Sequence, residues 1–223
     1  MSPKVSSRRS EGKMSSDMSS DARSAESDGD RELEFTRANT YRLLGGLLAQ
    51  PPDVELLERL TQIDIGVEAQ DTALAPQWRA LALAARHSTV SEANDEYHDL
   101  FVGMARGELV PYASWYLTGF IMEKPLAQLR QDLKELGFAR LEKVKEPEDH
   151  AAALCETMSL IITDADIAAA RQRKFFEEHL APWMPRFFED LQAANSANFY
   201  STVGGLGGKF LEIDRQYLAM LPH

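Results

Sequence analysis

The densest cluster of titratable residues lies in one short segment, where Glu146, Asp149 and His150 flank Pro147. A carboxylate beside an imidazole can transfer protons as a general acid or base. The nearby sequence offers no nucleophile, because Cys155 falls on the apolar part of the helix predicted to follow. From the chemistry alone two interpretations stay open: a functional site, or a helix start in which His150 bonds to a neighbouring loop.

Histidines are the second chemical signal. The five histidines show no i, i+4 pairing and no cysteine partner, which argues against a structural metal site. His98-Asp99 resembles the central pair of the helical HD-type metal-dependent phosphohydrolases, which also need a histidine well upstream. His87, 11 residues before His98, is close for that role. A phosphohydrolase using His98 and Asp99 is kept as the alternative function; otherwise we expect no catalytic residue, metal or cofactor.

A glycine-rich segment, residues 204–209 with the sequence GGLGGK, superficially matches a phosphate-binding loop. Val203 stands where the first glycine of that loop should be, and Phe210 replaces its serine or threonine. No strand is predicted before it, and the segment continues a helical pattern. We therefore predict that these glycines let another helix approach closely.

Composition limits the class of protein. The 223 residues are 44% hydrophobic and 26% charged, which is typical of a globular chain of one or at most two domains. The net charge of -11 disfavours binding to nucleic acid or anionic membranes. The single cysteine gives no internal disulfide, so the expected compartment is the cytoplasm. The most apolar uncharged run, 109–122, is shorter than the roughly 20 residues of a membrane span.

Apolar residues recur at three- and four-residue steps over residues 31–223, which predicts a single all-α domain of about nine helices. No alternating run of β-branched residues competes with this pattern. The stretch from Gly103 to Gly119 is the part that is not clearly helical. The predicted helices cover about 33–48, 56–60 with Asp53 as cap, 74–86, a segment from Ser91, one from Pro125 to Gly137, one through Leu154 and Ile161, 165–180, 182–194 and 197–219.

Residues 1–30 differ from the rest of the chain. They contain ten serines and no aromatic residue, so we predict a disordered tail. Residues 7–13, SRRSEGK, resemble the start of a twin-arginine export signal, but no apolar stretch of about 7 to 15 residues follows. We therefore expect the protein not to be exported.

Four segments together resemble one family. Residues 146–150, EPEDH, are similar to the E-P-x-D-H motif of the TorD family of cytoplasmic redox-enzyme maturation chaperones. That family includes chaperones for trimethylamine oxide reductase, dimethyl sulfoxide reductase and formate dehydrogenase. His98 and Trp115 fill variable positions, and the likeness spans about 35–220. The other three segments, in order, are 96–103 (Y-x-x-L-F-V-G), 110–117 (P-x-x-S-x-Y-L), and 179–183 with Phe199-Tyr200 (H-L-x-x-W and F-Y).

The resemblance implies an all-helical chaperone, not an enzyme. Such a chaperone binds the twin-arginine signal peptide or apoprotein of a molybdenum-containing oxidoreductase, assists cofactor insertion and delays export until maturation. The client would be formate dehydrogenase or an enzyme like dimethyl sulfoxide or trimethylamine oxide reductase, and the Trp183 region slightly favours the first. Guanine-nucleotide binding has been raised for some members, but no phosphate loop supports it in this chain.

A signal peptide presents two arginines and then an apolar helical stretch, so its receptor needs carboxylates beside an apolar groove. Given the resemblance, we expect the charge to come from Glu146 and Asp149, with Glu148 as a further candidate. The acidic net charge would speed capture of a basic peptide. The remaining expected site residues are Pro147 and His150 of the motif and Tyr97, Phe101, Tyr112, Ser114, Tyr116 and Leu117 around the groove.

The Arg8-Arg9 pair copies the charged half of such a peptide without the apolar half. A flexible tail of about thirty residues reaches roughly 30 Å, and tethering raises its local concentration toward the millimolar range. We hypothesise that Arg8-Arg9 is an intramolecular decoy that damps the binding of weak clients.

Overall fold

The computed structural model describes residues 14–63, 72–104, 106–139 and 146–221, and it is all-α, as predicted. Ten α-helices are present in these ranges, one more than the count expected from sequence. The additional helix is α5, in the glycine- and proline-rich stretch. The helices are α1 (Met14–Ala49), α2 (Val54–Thr61), α3 (Ala75–His87), α4 (Val90–Tyr97), α5 (Ala113–Thr118), α6 (Lys124–Glu135), α7 (Ala151–Thr163), α8 (Ala169–Phe175), α9 (Met184–Ala193) and α10 (Phe199–Met220).

Two helices continue into a wider turn. A π-helical segment, His98–Val102, follows α4, and a second, Phe176–Leu180, follows α8. The first falls inside the 96–103 element, and the second overlaps the 179–183 element at His179 and Leu180. Such π turns are frequent at functional positions. None of the helices in the described ranges is long and apolar enough to cross a bilayer.

Helix starts follow local chemistry. The Asp53 side chain accepts a hydrogen bond from the Leu56 amide and caps α2, as predicted. Helix α4 begins at Val90, slightly before the expected Ser91, because Thr89 and Glu92 form a reciprocal capping box. Helix α9 begins at Met184 rather than at Pro182.

The first helix is longer than predicted. Helix α1 begins at Met14, so it includes residues 14–30, which composition predicts to be disordered. Nothing in that stretch stops a helix, since it contains no proline and one glycine, Gly29. Among the α1 residues whose burial the structure describes, 29 and 31–49, the first buried side chain is that of Arg37. A domain boundary at residue 30 stays a prediction, and residues 1–13, with Arg8-Arg9, lie outside the described ranges.

The core forms where α1 packs on α7 and α9 packs on α10. The predicted close approach of helices is confirmed at the second contact. A Cβ added to Gly204 would lie 2.7 Å from the Gln192 nitrogen and 2.8 Å from the Phe188 carbonyl oxygen. Likewise, a Cβ on Gly207 would lie 2.3 Å from the Phe188 ring. The glycines of residues 204–209 are therefore packing residues inside a helix.

A buried charge pair ties α1 to α10. Arg37 Nε donates to Asp214 Oδ1 at 2.5 Å, and the Tyr41 hydroxyl donates to Asp214 Oδ2 at 2.7 Å. Arg37 also lies over the Tyr217 ring and contacts Gln172. Burial, with the neighbouring Asp214 charge, holds the pKa of Tyr41 well above its usual value. This network holds the part of α1 that contains Arg37 and Tyr41 against α10.

Candidate functional site

Two of the family-like segments lie side by side. The Ala113 amide donates to the Asp149 carbonyl at 2.9 Å, and the Ala151 amide donates to the Pro111 carbonyl at 2.8 Å. Tyr112 and His150 form an isolated antiparallel bridge between these bonds. The turn before α7 is thereby held against the start of α5, so several of the predicted site residues are neighbours.

Asp149 is the buried acid of the cluster, with only 1% of its surface exposed. Its Oδ2 accepts hydrogen bonds from the Ser114 amide at 2.9 Å and from the Ser114 hydroxyl at 2.5 Å. Its Oδ1 is also buried but has no hydrogen-bond partner. Because a buried carboxylate oxygen without a donor costs free energy, this atom is a natural place for a cationic ligand to bind.

His150 is the N-cap of α7. Its Nδ1 accepts a hydrogen bond from the Ala152 amide at 3.1 Å, and the Tyr112 ring meets its ring edge-on. Burial lowers the pKa of His150 to about 4, against the opposing effect of the Asp149 charge. His150 is therefore neutral near pH 7, and it caps its own helix instead of bonding through its side chain to a neighbouring loop.

The two glutamates of the motif have different surroundings. Glu146 is exposed and accepts a hydrogen bond from the Tyr112 hydroxyl. Glu148 is paired with Arg130, whose Nη2 lies 2.9 Å from its Oε2. Pro147 lies between them, and its carbonyl accepts the His150 amide. Glu146 is thus the outer acid of the site, while Glu148 is engaged by α6.

The predicted aromatic groove separates into two groups. Tyr97 and Phe101 pack on Tyr200 of α10, and burial, with the nearby Glu146 charge, raises the pKa of Tyr97. They therefore lie on the Glu146 side, together with Tyr112. Tyr116 instead packs on Trp183.

Tyr116 is held by α9. Its hydroxyl donates to Asp190 Oδ2 at 2.9 Å. Burial is the main cause of its raised pKa, and the bond to Asp190 adds to it. Leu117, the next residue, is exposed. Tyr116 is therefore half-buried and anchored to α9, whereas the side chain of Leu117 is exposed.

A pocket of about 410 Å³ opens where α5, α6, α7 and the second π-helical segment meet. Three carboxylate residues line it, Asp149, Glu177 and Glu178, and we call it the acidic pocket. No lysine or arginine within the described ranges lines it. Sequence reasoning missed Glu177 and Glu178, although they directly precede the 179–183 element. The other lining residues are Ala113, Leu117, Pro125, Gln128, Leu129, Leu154, His179 and Pro182.

The alternative metal site is not assembled. The His98 Nδ1 bonds to the Asn94 carbonyl one helical turn earlier, and both His98 and Asp99 are exposed. Among the described residues, one group has ligand atoms close enough to share a metal ion: Asp132, Glu178 and His179. It does not include the His98-Asp99 pair.

Comparison with known proteins identifies the family. The sequence model described as "Nitrate reductase delta subunit" matches residues 67–189, more than half of the chain. The chain belongs to the TorD and nitrate reductase delta subunit family of redox-enzyme maturation chaperones. This is a family of chaperones, so the phosphohydrolase alternative has no support, and the resemblance seen in the four sequence segments is confirmed.

Comparisons of this TorD-family chain with individual relatives give the same family assignment. The chaperone protein TorD of Aliivibrio fischeri is 27% identical over 203 residues, which cover 82% of this chain and 94% of the relative. TorD of Vibrio vulnificus strain YJ016 is 28% identical over 202 residues, with the same coverage. A crystal structure of a candidate redox enzyme maturation protein from Archaeoglobus fulgidus shares the fold, with a TM-score of 0.52, 19% identity and coverage of 79% and 93% of the two chains. None of these matches supports formate dehydrogenase as the client.

Proposed function

We propose that this TorD-family chaperone binds the twin-arginine signal peptide or the apoprotein of a molybdenum-containing oxidoreductase. In this role it holds the client in the cytoplasm, assists cofactor insertion and delays export until maturation. The observation that carries the proposal is the Asp149 carboxylate, which is buried, anchored through one oxygen and without a partner at the other.

An arginine guanidinium suits this carboxylate. It keeps its charge at any physiological pH and presents several N–H donors in a fixed plane. A charge-assisted hydrogen bond to Asp149 Oδ1 would supply the missing donor at a desolvated position. Glu146, exposed at the same turn, adds a second negative charge nearer to solvent. The net charge of -11 favours encounter with a basic segment.

The test is a calorimetric titration of a synthetic peptide in which two arginines precede about fifteen apolar residues. The variant Asp149→Asn keeps an oxygen that can accept from Ser114 and removes the charge. We expect it to weaken binding by about 1 to 3 kcal/mol, which is roughly 5- to 150-fold. Added salt should weaken binding to the native protein more than to the variant.

The matched control is Glu212→Gln, which removes the same charge from an exposed residue of α10 paired with Lys209. It should bind the peptide as the native protein does. Equal affinity of the native protein and Asp149→Asn would remove the motif from the binding site. Binding of a whole precursor but of no signal peptide would place recognition on the apoprotein.

A further inference from the structure

Large apolar side chains are exposed together at the end of α5 and in the loop that leads to α6. Leu117 is 44% exposed, and Phe120, Ile121 and Met122 are 69%, 53% and 67% exposed. Single exposed apolar residues are ordinary, but a contiguous group is typical of a surface that binds a partner. We call residues 117 and 120–122 the apolar loop.

The apolar loop is held in a defined conformation. Met122 has a φ of +62° and is the one residue other than glycine with positive φ in the described ranges. Such a backbone is uncommon for a residue with a side chain and persists only where neighbours stabilise it. Here the Met122 amide donates to the Ser114 hydroxyl at 3.2 Å, and Thr118 Oγ1 donates to the Phe120 carbonyl at 3.2 Å.

The apolar loop is joined to the buried carboxylate through one hydroxyl. Ser114 Oγ accepts from Met122 and donates to Asp149 Oδ2 at 2.5 Å. Leu117 belongs to both surfaces, because it also lines the acidic pocket with Asp149. The charged and the apolar surfaces are therefore parts of one continuous structure.

The acidic pocket has little cationic neutralisation. Arg215 and Lys174 reach Glu177 and Glu178 only at 3.6 and 3.9 Å, with exposed side chains, and such ion pairs are weak. His179 also lines the pocket, but burial lowers its pKa despite the hydrogen bond to Asp132. Arg130 also lies near Asp149, and its pKa is raised by the hydrogen bond to Glu148 together with the Glu148 and Asp149 charges, but its guanidinium is paired with Glu148. The pocket therefore keeps more carboxylates than cations around it.

We propose that the acidic pocket and the apolar loop together form the docking site for a client segment in which arginine precedes apolar residues. The guanidinium binds at Asp149 Oδ1, and the apolar residues cover Leu117 and residues 120–122. This inference rests on the proposed function and gives it a location. It replaces most of the groove expected from sequence. Tyr97 and Phe101 pack against Tyr200 of α10, and Tyr116 packs against Phe187 of α9.

The experiment uses two peptides to measure the contributions of the acidic pocket and of the apolar loop separately. One carries two arginines followed by apolar residues, and the other carries two arginines followed by serines. The variant Phe120→Ser/Ile121→Ser removes apolar surface that is already exposed, so the fold is not at risk. We expect at least tenfold weaker binding of the apolar peptide and unchanged binding of the serine peptide.

The matched control is Val54→Ser/Leu83→Ser, which removes two comparably exposed apolar side chains, 59% and 54%, from α2 and α3. It should bind both peptides as the native protein does. Hydrogen–deuterium exchange gives an independent readout, because the apolar peptide should slow exchange of the 120–122 amides while the serine peptide should not.

The outcomes distinguish this inference from the proposed function. If the native protein binds the apolar peptide and the loop variant binds it equally well, the location is wrong and the proposed function stands. If the loop variant loses both peptides equally, the apolar loop does not contact the apolar half, and the division is wrong. If the native protein binds neither peptide, this inference fails, and the proposed function then stands only if the native protein binds a whole precursor. A native dimer that the loop variant converts to a monomer without changing peptide affinity would assign the loop to a second copy.

Discussion

The contact between α9 and α10 predicts opposite effects for one substitution at two glycines of the same helix. Alanine in a helix interior is more stable than glycine by about 0.5 to 1 kcal/mol when it has room. Gly208 has room, since an added Cβ would lie 3.7 Å from the nearest atom, Phe188 Cβ. We therefore expect Gly208→Ala to stabilise the domain by up to about 1 kcal/mol.

Gly204 lacks that room, because its added Cβ would meet backbone atoms of α9 at 2.7 and 2.8 Å. Backbone cannot rotate away as a side chain can, so the two helices must separate. Overpacking of this kind costs about 1 to 3 kcal/mol. Both variants gain the same helix propensity, so the overpacking cost alone separates them. The free energy of unfolding of Gly204→Ala should therefore be about 1 to 3 kcal/mol lower than that of Gly208→Ala.

The assay is thermal unfolding followed by circular dichroism, with urea unfolding as a check. For a domain of this size, each kcal/mol shifts Tm by about 2 to 4 °C, so the two variants should differ by roughly 2 to 12 °C, with Gly208→Ala the more stable. Equal Tm values would refute the close packing of α9 and α10.

Three further predictions concern buried polar groups. Asp214→Ala leaves the Arg37 charge buried without its acceptor, and urea unfolding should show a loss of about 3 to 5 kcal/mol. Glu96→Ala removes the carboxylate that accepts three amides at the start of α10, so we expect a loss of about 1 to 2 kcal/mol and faster hydrogen exchange there. His150 has a pKa lowered from 6.5 to about 4, so the unfolded chain takes up a proton before the folded one. The stability that His150 contributes is complete above pH 6.5 and is lost as the pH falls to about 4, and the loss is about 3 kcal/mol at most. When the free energy of unfolding is measured against pH, His150→Asn should show a flatter curve between these two pH values.

The all-α class and most helix positions were predictable because apolar periodicity is a local property of the sequence. Asp53 as a cap and Gly137 as a stop follow from backbone chemistry that acts within a few residues, and Gly137 has the positive φ that a helix end favours. Helix α5 was missed because it is only six residues long and its neighbours include two glycines and a proline. The start of α1 was missed because composition does not distinguish a polar helix from a disordered tail.

The charged part of the site was predictable only through the family motif, and its geometry was not. Three acids of one turn, Glu146, Glu148 and Asp149, look equivalent in sequence. Contacts from distant residues make them different. Glu146 accepts a hydrogen bond from Tyr112, Glu148 forms an ion pair with Arg130, and Asp149 accepts a hydrogen bond from Ser114. Glu177 and Glu178 reach the same pocket through tertiary packing, about thirty residues farther along the chain, and no local pattern indicates this.

The structure also explains why the motif needs different residue types at adjacent positions. His150 must stay neutral to accept the Ala152 amide and begin α7, and burial keeps it so. Asp149 must stay close to Ser114 to hold the turn against α5, yet only one of its oxygens is used for this. Asparagine at 149 could hold the turn but not attract a cation, and glutamate, one methylene longer, could attract a cation but would displace Ser114. Aspartate is the residue that meets both requirements, so a change at 149 that preserves stability while abolishing binding separates the two roles, and Asp149→Asn is that change.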